Sequence, residues 1–512
     1  MILNILPRCS QVCLLEPFSC SGHSSEQLGS AVVSDQSIDD AQHRAAAALI
    51  DVPEPVAELG ARFAAAGFEL SLVGGTVRDA VLGRPSPDID LTTNARPDLV
   101  QSLLEGWAHN VWDVGIAFGT VGARHGDHKL EITTYRAEAY DRESRKPDVS
   151  YGDNLEGDLL RRDFTVNAMA LTLPGNRLID PFGGLGDLVK RVIRTPGLPE
   201  SSFDDDPLRM MRAARFVSQL GFDVDADVVT AMTSMAERID IVSAERVREE
   251  LVKLIMGGHP RAGLALMVST GLAEHVLPEL PKLALEIDEH HRHKDVYEHT
   301  LIVLEQAIEM ESRHEPVSGP DFVLRFAALM HDIGKPKTRR FEDGGGVSFH
   351  HHEVVGAKMT RKRMQALRFS NDDIDAVYRL VELHLRFHGY GTGEWTDSAV
   401  RRYVRDAGAL LPRLHKLTRA DCTTRNPRKA ESLARTYDSL EARIARLAEQ
   451  EELDAIRPDL NGEQIMEVLG IGPSRKVGEA YRFLLEVRLD EGPLDESSAR
   501  DRLMTWWASR ST

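Results

Sequence analysis

Residues 72–93 read LVGGTVRDAVLGRPSPDIDLTT, and the fold turns on this stretch. An apolar strand end at Leu72-Val73 runs into Gly74-Gly75, then into a helical pattern from about Thr76 to Leu82, and a second strand starts at Asp88. Asp88 and Asp90 flank Ile89, so their side chains leave one face of that strand about 6–7 Å apart. Two carboxylates on one face repel unless a cation lies between them. A pair of Mg²⁺ ions supplies that charge, and hard oxygen ligands are what Mg²⁺ prefers. The glycines let a backbone approach phosphate closely, and the start of the next helix offers N–H groups and a positive dipole end. Taken singly, a Gly-Gly turn and an Asp-x-Asp triplet are common, and a solvent-facing strand end looks the same. In the order GGxVRD, eight residues, DxD, they are specific. Glu131 alternates with Leu130 and Ile132 in KLEITTY (129–135), which makes it a candidate third carboxylate.

Working outward, VAELGARFAAAGF (56–68) has helical periodicity, and ELSLV (69–73), GTVGAR (119–124) and KLEITTY have strand patterns. After Pro196 strand signals all but vanish, and helical periodicity continues to the end. Breaks fall at Gly257–Gly258, Ser318–Pro320, Gly344–Gly346, Gly389–Gly393 and Gly470–Pro473. The expected fold class is α+β: a small mixed-sheet head followed by a long all-helical body. The 512 residues, 42% apolar and 28% charged, suit a soluble globular chain. A balance of 62 Lys/Arg against 80 Asp/Glu, net −18, argues against a non-specific nucleic-acid coat and leaves room for a local basic groove. No stretch approaches the ~18 uncharged apolar residues of a membrane span. Four cysteines (Cys9, Cys13, Cys20, Cys422) fit a reducing cytoplasm. The opening MILNILPRCSQVCLLEPFSC lacks a charged n-region and a clear cleavage site, so it reads as no working signal peptide. The polar residues after it predict a disordered leader over 1–50.

Three later segments carry chemistry. DDPLRMMRAARF (205–216) opens a helix at Asp206-Pro207 and places Arg209, Arg212 and Arg215 on one drifting stripe, which alone could be a solvated basic face. A carboxylate beside a guanidinium also matches the amino-beside-acceptor edge shared by cytosine and adenine, whereas guanine and uracil present the reverse. The histidines cluster: His299, His331-Asp332 in LMHDIGKP, His350-His351-His352, His384 and His388, followed by Asp421. Imidazole and carboxylate together suit a divalent or transition metal. His350, His351 and His388 are expected at the surface or behind the ligands. Arg401-Arg402, Arg425 and Arg428-Lys429 are candidate phosphate contacts in a Lys/Arg-rich stretch, as are Ser474-Arg475-Lys476 after the helix break at Gly470. No aromatic stacking stripe is visible.

LVGGTVRDAVLGRPSPDIDLTT resembles the signature of the class II tRNA nucleotidyltransferase and bacterial poly(A) polymerase superfamily. The resemblance continues in order through LLRRDFTVNAMA (159–170), DPFGGLGDL (180–188), DDPLRMMRAARF and ERVREE (245–250). H…HD…H…H…D resembles the HD superfamily of metal-dependent phosphohydrolases. The resemblance implies a nucleotidyltransferase head at 51–195, a neck carrying base selection at 196–265, an HD domain at 285–425, and a tRNA-binding helical tail at 426–512. It implies template-independent addition of CMP and AMP to tRNA 3′ ends. Asp88 and Asp90 would hold Mg²⁺, Gly75, Arg78 and Arg162 would lie by the triphosphate, and Asp206, Arg209, Arg212 and Arg215 would face the nucleotide. Asp205 stands where the family has Glu. In the HD domain His299, His331, Asp332 and Asp421 would bind Ni²⁺, Mn²⁺ or Mg²⁺, with His352 and His384 as possible further ligands. The implied partners are tRNA, ATP and CTP in the cytoplasm, with no DNA and no membrane. Poly(A) addition shares every motif, and a protein acting mainly through the HD site is a further alternative. A regulatory chain with a dead head would have lost Asp88 or Asp90, and both are present.

Overall fold

The computed structural model describes residues 42–85, 88–113, 119–137, 150–152, 154–284, 295–342, 346–389, 395–424, 426–451 and 457–510. The chain divides into two compact units, 1–209 with 222–231, and 210–221 with 232–512.

The first unit is built on β1 (Leu70–Val73), β2 (Asp88–Thr93), β3 (Asn110–Trp112), β4 (Thr120–His125), β5 (His128–Thr134), β6 (Arg136–Ala137), β7 (Ser150–Tyr151), β8 (Ala170–Leu173) and β9 (Leu178–Ile179). Seven strands form one sheet in the order β3-β4-β5-β2-β1-β8-β9, and β6 pairs with β7 apart from it. β2 and β5 run parallel and the other neighbours antiparallel, so the sheet is mixed. β1 lies inside the sheet and is buried along its whole length. The helix Glu54–Ala65 comes so close that a Cβ on its Gly60 would stand 2.6 Å from Leu173 Cβ on β8. Along β2 and β5 the period-two pattern divides the residues between faces. Ile89, Leu91, Leu130 and Ile132 are buried on one side, while Asp88, Asp90, Lys129 and Glu131 stand on the other, partly open.

The expected leader needs a correction at its end. Residues 42–47 form a helix, with Ala46 and Ile50 buried, so ordered structure starts before residue 51. The run HRAAAALI (43–50) combines high helix propensity with an apolar face, which the polar composition of the preceding residues concealed. Residues 1–41 lie outside the described ones.

The second unit is helical, as its periodicity requires. Among its described residues strand pairing is limited to Arg340–Phe341 with Val347–Ser348. The break at Gly257–Gly258 separates Ala244–Ile255 from Pro260–Ser269, and contact demands it: a Cβ on Gly257 would sit 2.2 Å from Ser218 Oγ. Ser318–Pro320 separates Val296–Arg313 from Phe322–Met330, and Gly470–Pro473 separates Gly462–Leu469 from Arg475–Glu491. Most of Gly344–Gly346 and Gly389–Gly393 lies outside the described residues. The helices Val296–Arg313, Phe322–Met330, His352–Ala366, Asn371–Leu383 and Leu411–Ala420 pack into one cluster. The last three helices close over Leu460, Ile465, Ala480, Leu484, Ala499 and Leu503. There Phe483 stacks on Trp506 at 4.9 Å, and Lys476 and Arg510 lie over Trp507 and Trp506. The tail thus has an aromatic cluster that its helical periodicity did not reveal.

Candidate active site and candidate metal centre

Asp88 and Asp90 open β2, and Glu131 on β5 is the register partner of Asp90, so three carboxylates share the open face. Thr76 Oγ1 accepts from the Asp90 N–H at 2.9 Å and donates to the Asp88 carbonyl at 3.3 Å, pinning the helix Gly75–Val81 to the strand. Gly74 turns the chain with φ +67°, and a Cβ there would lie 2.9 Å from Arg162 Nη1 and 3.8 Å from Asp90 Oδ2. Glycine is therefore what admits the Arg162 guanidinium beside the carboxylates. Asp158 steadies Arg162 at 3.1 Å and accepts from Thr92 Oγ1 at 3.2 Å.

Arg78 lies beneath the turn rather than on the open face. Its Nε and Nη2 donate to both Asp79 oxygens at 2.9 and 2.8 Å, and its Nη1 donates to Asn167 Oδ1 at 2.6 Å. Asn167 Nδ2 in turn donates to Asp163 Oδ1 at 2.9 Å. Gly75 sits above this brace, 3.6 Å from Arg78 Nη2 at its Cβ position. Sequence reasoning missed Asp158, Asp163 and Asn167. The four-residue spacing of Asp163 and Asn167 in LLRRDFTVNAMA was the one signal present.

The face suits divalent cations. Lys129 Nζ stands 3.3 Å from Asp88 Oδ1 and 3.2 Å from Glu131 Oε1, an ammonium between two carboxylates. Burial pushes the Asp90 carboxyl above its ordinary 3.8; Arg162 opposes the shift, and Glu131 and Asp88 reinforce it. An all-oxygen donor set short of positive charge matches hard divalent ions.

The basic stripe divides. The helix begins at Leu208, and the Asp206 carboxylate accepts from the Leu208 N–H at 3.1 Å, one residue from the expected start. Arg209 Nη1 donates to Ser202 Oγ at 2.8 Å and Nη2 to the Arg161 carbonyl at 2.6 Å, so its guanidinium is oriented. Arg215 Nε lies 2.6 Å from buried Glu250 and stacks on Phe216 at 4.1 Å, and Arg212 lies 3.8 Å from Glu250. The structure ties Arg215 closely, and Arg212 more loosely, to the ERVREE segment. Buried Glu250, which balances their charge, is the reason.

In the second unit six residues from five helical segments converge. They form two groups, His299 with His331 and Asp421, and Asp332 with His352 and His384, each within 4.8 Å. His299 Nε2 is 3.0 Å from Asp421 Oδ1. Asp332 offers Oδ2 to His331 Nε2 at 3.2 Å and Oδ1 to His352 Nε2 at 3.2 Å, so one carboxylate serves both groups. Nδ1 of His331, His352 and His384 bonds the carbonyl three residues back, at 2.8, 2.8 and 2.6 Å, and His299 Nδ1 meets Thr423 Oγ1 at 3.1 Å. These bonds turn every Nε2 inward, as metal-ligating histidines require. His384 Nε2 is buried with no hydrogen-bond partner among the described residues.

The electrostatics agree. Burial lowers the His384 pKa to about 3, with His331 adding to the effect. Burial would lower His331 too, but Asp332 and Asp421 push it up to about 10. The Asp332 and Asp421 carboxylates thus favour positive charge in the pocket, beside a His384 imidazole that burial keeps neutral. Lys335 Nζ, 2.6 Å from Asp332 Oδ2, is a further cation that sequence reasoning did not single out. His350 and His351 are exposed, and the side chain of His388 lies outside the described residues.

Of the candidate phosphate contacts, Arg401 and Arg402 are committed internally, Arg401 to Glu451 at 2.7 Å and Arg402 to Glu486 and Asp490 at 2.6 and 2.8 Å. Acids from distant helices neutralise them, which local sequence could not disclose. Arg428 and Lys429 are exposed, and Arg425 lies outside the described residues. Arg475 is exposed, 3.8 Å from Glu479. Among the described residues no helix is long and apolar enough to cross a membrane.

Residues 70–194 match the family described as "Poly A polymerase head domain", 221–283 "Probable RNA and SrmB- binding site of polymerase A", and 296–451 "HD domain". The chain is 34% identical over 429 residues to the A-adding tRNA nucleotidyltransferase of Deinococcus radiodurans, covering 82% of this chain and 91% of that one. It is 44% identical over 225 residues to a CCA-adding enzyme of Lactobacillus delbrueckii, covering 44% of this chain and about half (54%) of that one. The Bacillus stearothermophilus CCA-adding enzyme in complex with CTP superposes with TM-score 0.61 at 25% identity, covering 90% of this chain and 99% of the other. The Thermotoga maritima CCA-adding enzyme, complexed with tRNA, shares the fold with TM-score 0.58 at 18% identity, over 91% and 98% of the two chains. Both halves of this chain's chemistry, a divalent-cation nucleotidyltransferase head and an HD metal pocket, thus have matching families, and the chain belongs to the tRNA nucleotidyltransferase and poly(A) polymerase family.

Proposed function

We propose that this protein adds CMP and AMP to the 3′ end of tRNA, taking them from CTP and ATP without a nucleic-acid template. The observation that carries the reading is the open face of the sheet. Asp88, Asp90 and Glu131 stand together there, with Arg162 admitted beside them by Gly74. Asp88 and Asp90 would hold Mg²⁺, which when bound neutralises the triphosphate and sharpens the attacking 3′-hydroxyl. Arg162 draws the triphosphate to the turn. Arg78, through Asp79 and Asn167, keeps the Gly74-Gly75 backbone in place beneath it. Pyrophosphate leaves in line, so the work of the chain is positioning and charge balance.

Asp206 and Arg209 read the base edge. The carboxylate accepts from the exocyclic amine of cytosine or adenine, and the guanidinium, held by Ser202 and the Arg161 carbonyl, donates to the ring nitrogen beside it. Arg212 and Arg215 hold their helix through Glu250. The head spans 51–195 with the neck at 196–265, the HD domain 285–425 and a tRNA-binding tail 426–512, and the protein works in the cytoplasm. The HD pocket binds Ni²⁺, Mn²⁺ or Mg²⁺ through His299, His331, Asp332, Asp421, His352 and His384. It hydrolyses phosphate ends, including 2′,3′-cyclic phosphate, before addition.

The deciding assay gives labelled CTP and ATP, singly and together, to tRNA lacking its terminal CCA. Incorporation of both, ending after three residues, is the expected result. A second reading, AMP addition to tRNA already ending in CC, is favoured by the name of the relative matched over 91% of its length. Under it only the CC-ended substrate takes label. Unlimited adenylation of any RNA would identify a poly(A) polymerase, and no incorporation at all would end the proposal.

A further inference from the structure

The register of the sheet carries a row of residues beyond the carboxylates. Trp112 on β3 pairs with Gly122 on β4, Gly122 with Glu131 on β5, and Glu131 with Asp90 on β2. Directly paired residues point to one side of a sheet, so all four positions lie on the open face. Gly122 contributes no side chain there, and the Trp112 indole fills the gap: a Cβ on Gly122 would sit 2.0 Å from the indole Nε1. The ring therefore lies down along the sheet toward Glu131 instead of standing off it. Trp112 remains partly exposed, so the ring keeps surface open to solvent. A parallel row, Arg124 with Lys129 and Lys129 with Asp88, places an exposed guanidinium and an ammonium beside it.

The triphosphate side of the carboxylates is fixed by Gly74 and Arg162, which approach Asp90 from the β1 side. An in-line displacement brings the nucleophile from the side opposite the leaving pyrophosphate. On this sheet that side is β5, β4 and β3. The indole above Gly122 is two strands from Asp90, about 10 Å at the usual strand spacing, a separation that one nucleoside bridges. An aromatic face with cations beside it is how proteins grip a single-stranded end whatever its base.

We propose that the open face of β3–β5 is the seat of the RNA primer's 3′ end, with its terminal base stacked on Trp112 and its phosphate drawn to Arg124. Trp112 is a positioning residue for the attacking nucleotide. This rests on the nucleotidyltransferase reading above and adds the side from which the RNA enters. Tolerance of any base suits a primer whose last residue changes as it grows.

The test measures tRNA binding and primer-dependent kinetics for wild type, Trp112→Ala and Trp112→Phe, with primers carrying a normal or an abasic 3′-terminal nucleotide. For Trp112→Ala the expected result is tenfold or weaker tRNA binding and a matching rise in primer KM, with KM for CTP and ATP within twofold of wild type and Trp112→Phe near wild type. The abasic primer loses the same factor with wild type and nothing further with Trp112→Ala. If Trp112→Ala loses equally on both primers, or if nucleotide KM rises as much as primer KM, the indole merely fills the gap at Gly122 and the proposal is overturned. If Trp112→Ala fails to fold, wild type and Trp112→Phe decide alone: an undiminished affinity of both for abasic tRNA overturns it. Binding is read without turnover. A wild type that incorporates nothing yet shows the binding pattern would sink the catalytic reading and leave the platform standing.

Discussion

At the scale of single residues, Asp90 carries a cost in stability. Its carboxyl is pushed above its ordinary 3.8, chiefly by burial and further by Glu131 and Asp88. A group whose folded pKa is raised binds more protons folded than unfolded, so stability falls as pH rises from 3.8 through the raised value, and the cost is full above it. Asp90→Asn removes that cost. At neutral pH and without divalent ions this variant is expected to melt higher than wild type, with the gain vanishing below pH 3.8, while nucleotide incorporation falls about a thousandfold, or about 4 kcal/mol at 1.36 kcal/mol per decade. Differential scanning across pH, beside the incorporation assay, checks both halves. Gly74 makes the converse point. Gly74→Ala places a methyl 2.9 Å from Arg162 Nη1 on a backbone with φ +67° and ψ −131°, a glycine-favoured conformation costing an L-residue about 1–3 kcal/mol. The expected outcome is a drop of a few degrees in Tm and a rise in KM for ATP and CTP, because Arg162 is the group displaced.

At the scale of elements, close approaches and buried charge hold the helical unit. Gly334, in the turn after His331-Asp332, lies so near the helix His352–Ala366 that a Cβ would meet the His352 carbonyl at 2.1 Å. Gly334→Ala wedges that helix away, an overpacking that costs about 1–3 kcal/mol. It should weaken metal binding at the HD pocket, read by isothermal titration with Mn²⁺ or Ni²⁺, and leave nucleotide incorporation unchanged. A second junction ties three helices: His314 ends Val296–Arg313, His415 lies in Leu411–Ala420, and Glu441 lies in Pro427–Glu451. Glu441 is 3.2 Å from His314 and 2.9 Å from Arg419. Burial lowers His415 to about 4. Burial opposes ionisation of Glu441, but His314, Arg419 and His415 pull it down to about 2. Both groups bind fewer protons folded than unfolded, so both give stability that is lost on acidification. His415 gives way from 6.5 to about 4 and Glu441 from 4.5 to about 2. Tm should therefore fall steadily below pH 6.5, and His415→Phe should flatten the part of that slope above pH 4.5.

At the scale of the whole molecule, what the sequence disclosed was local and periodic. Asp88 and Asp90 could be put on one face because a strand repeats every two residues, and His331-Asp332 stood out because the two are adjacent. What it concealed was contact between distant segments. Arg78 meets Asn167 across 89 positions, and Arg401 meets Glu451 across 50. Neither pairing leaves a mark in local pattern, so the sequence put Arg78 by the triphosphate and Arg401 among the candidate phosphate contacts without disclosing either partner. The short helix at 42–47 was hidden for another reason, a polar neighbourhood averaged over too long a window. The two candidate sites nonetheless lie apart, each within its own compact unit: Asp88, Asp90, Glu131 and Arg162 belong to the first, and His299, His331, Asp332, His352, His384 and Asp421 to the second. Sites that share no ligand are expected to fail independently. Asp88→Ala should abolish incorporation of CMP and AMP while hydrolysis of 2′,3′-cyclic AMP proceeds within twofold of wild type, and Asp332→Ala should do the reverse. Asp332 is the sharper of the two probes, since its two oxygens serve both ligand groups and its loss dismantles both at once. Cyclic-AMP hydrolysis surviving in Asp332→Ala, assayed with Ni²⁺, Mn²⁺ and Mg²⁺ in turn, would place that reaction elsewhere. Hydrolysis absent from wild type under all three ions would leave the histidine pocket a metal-bound brace for its five helices, and in that case Asp332→Ala should lower Tm without touching nucleotide incorporation.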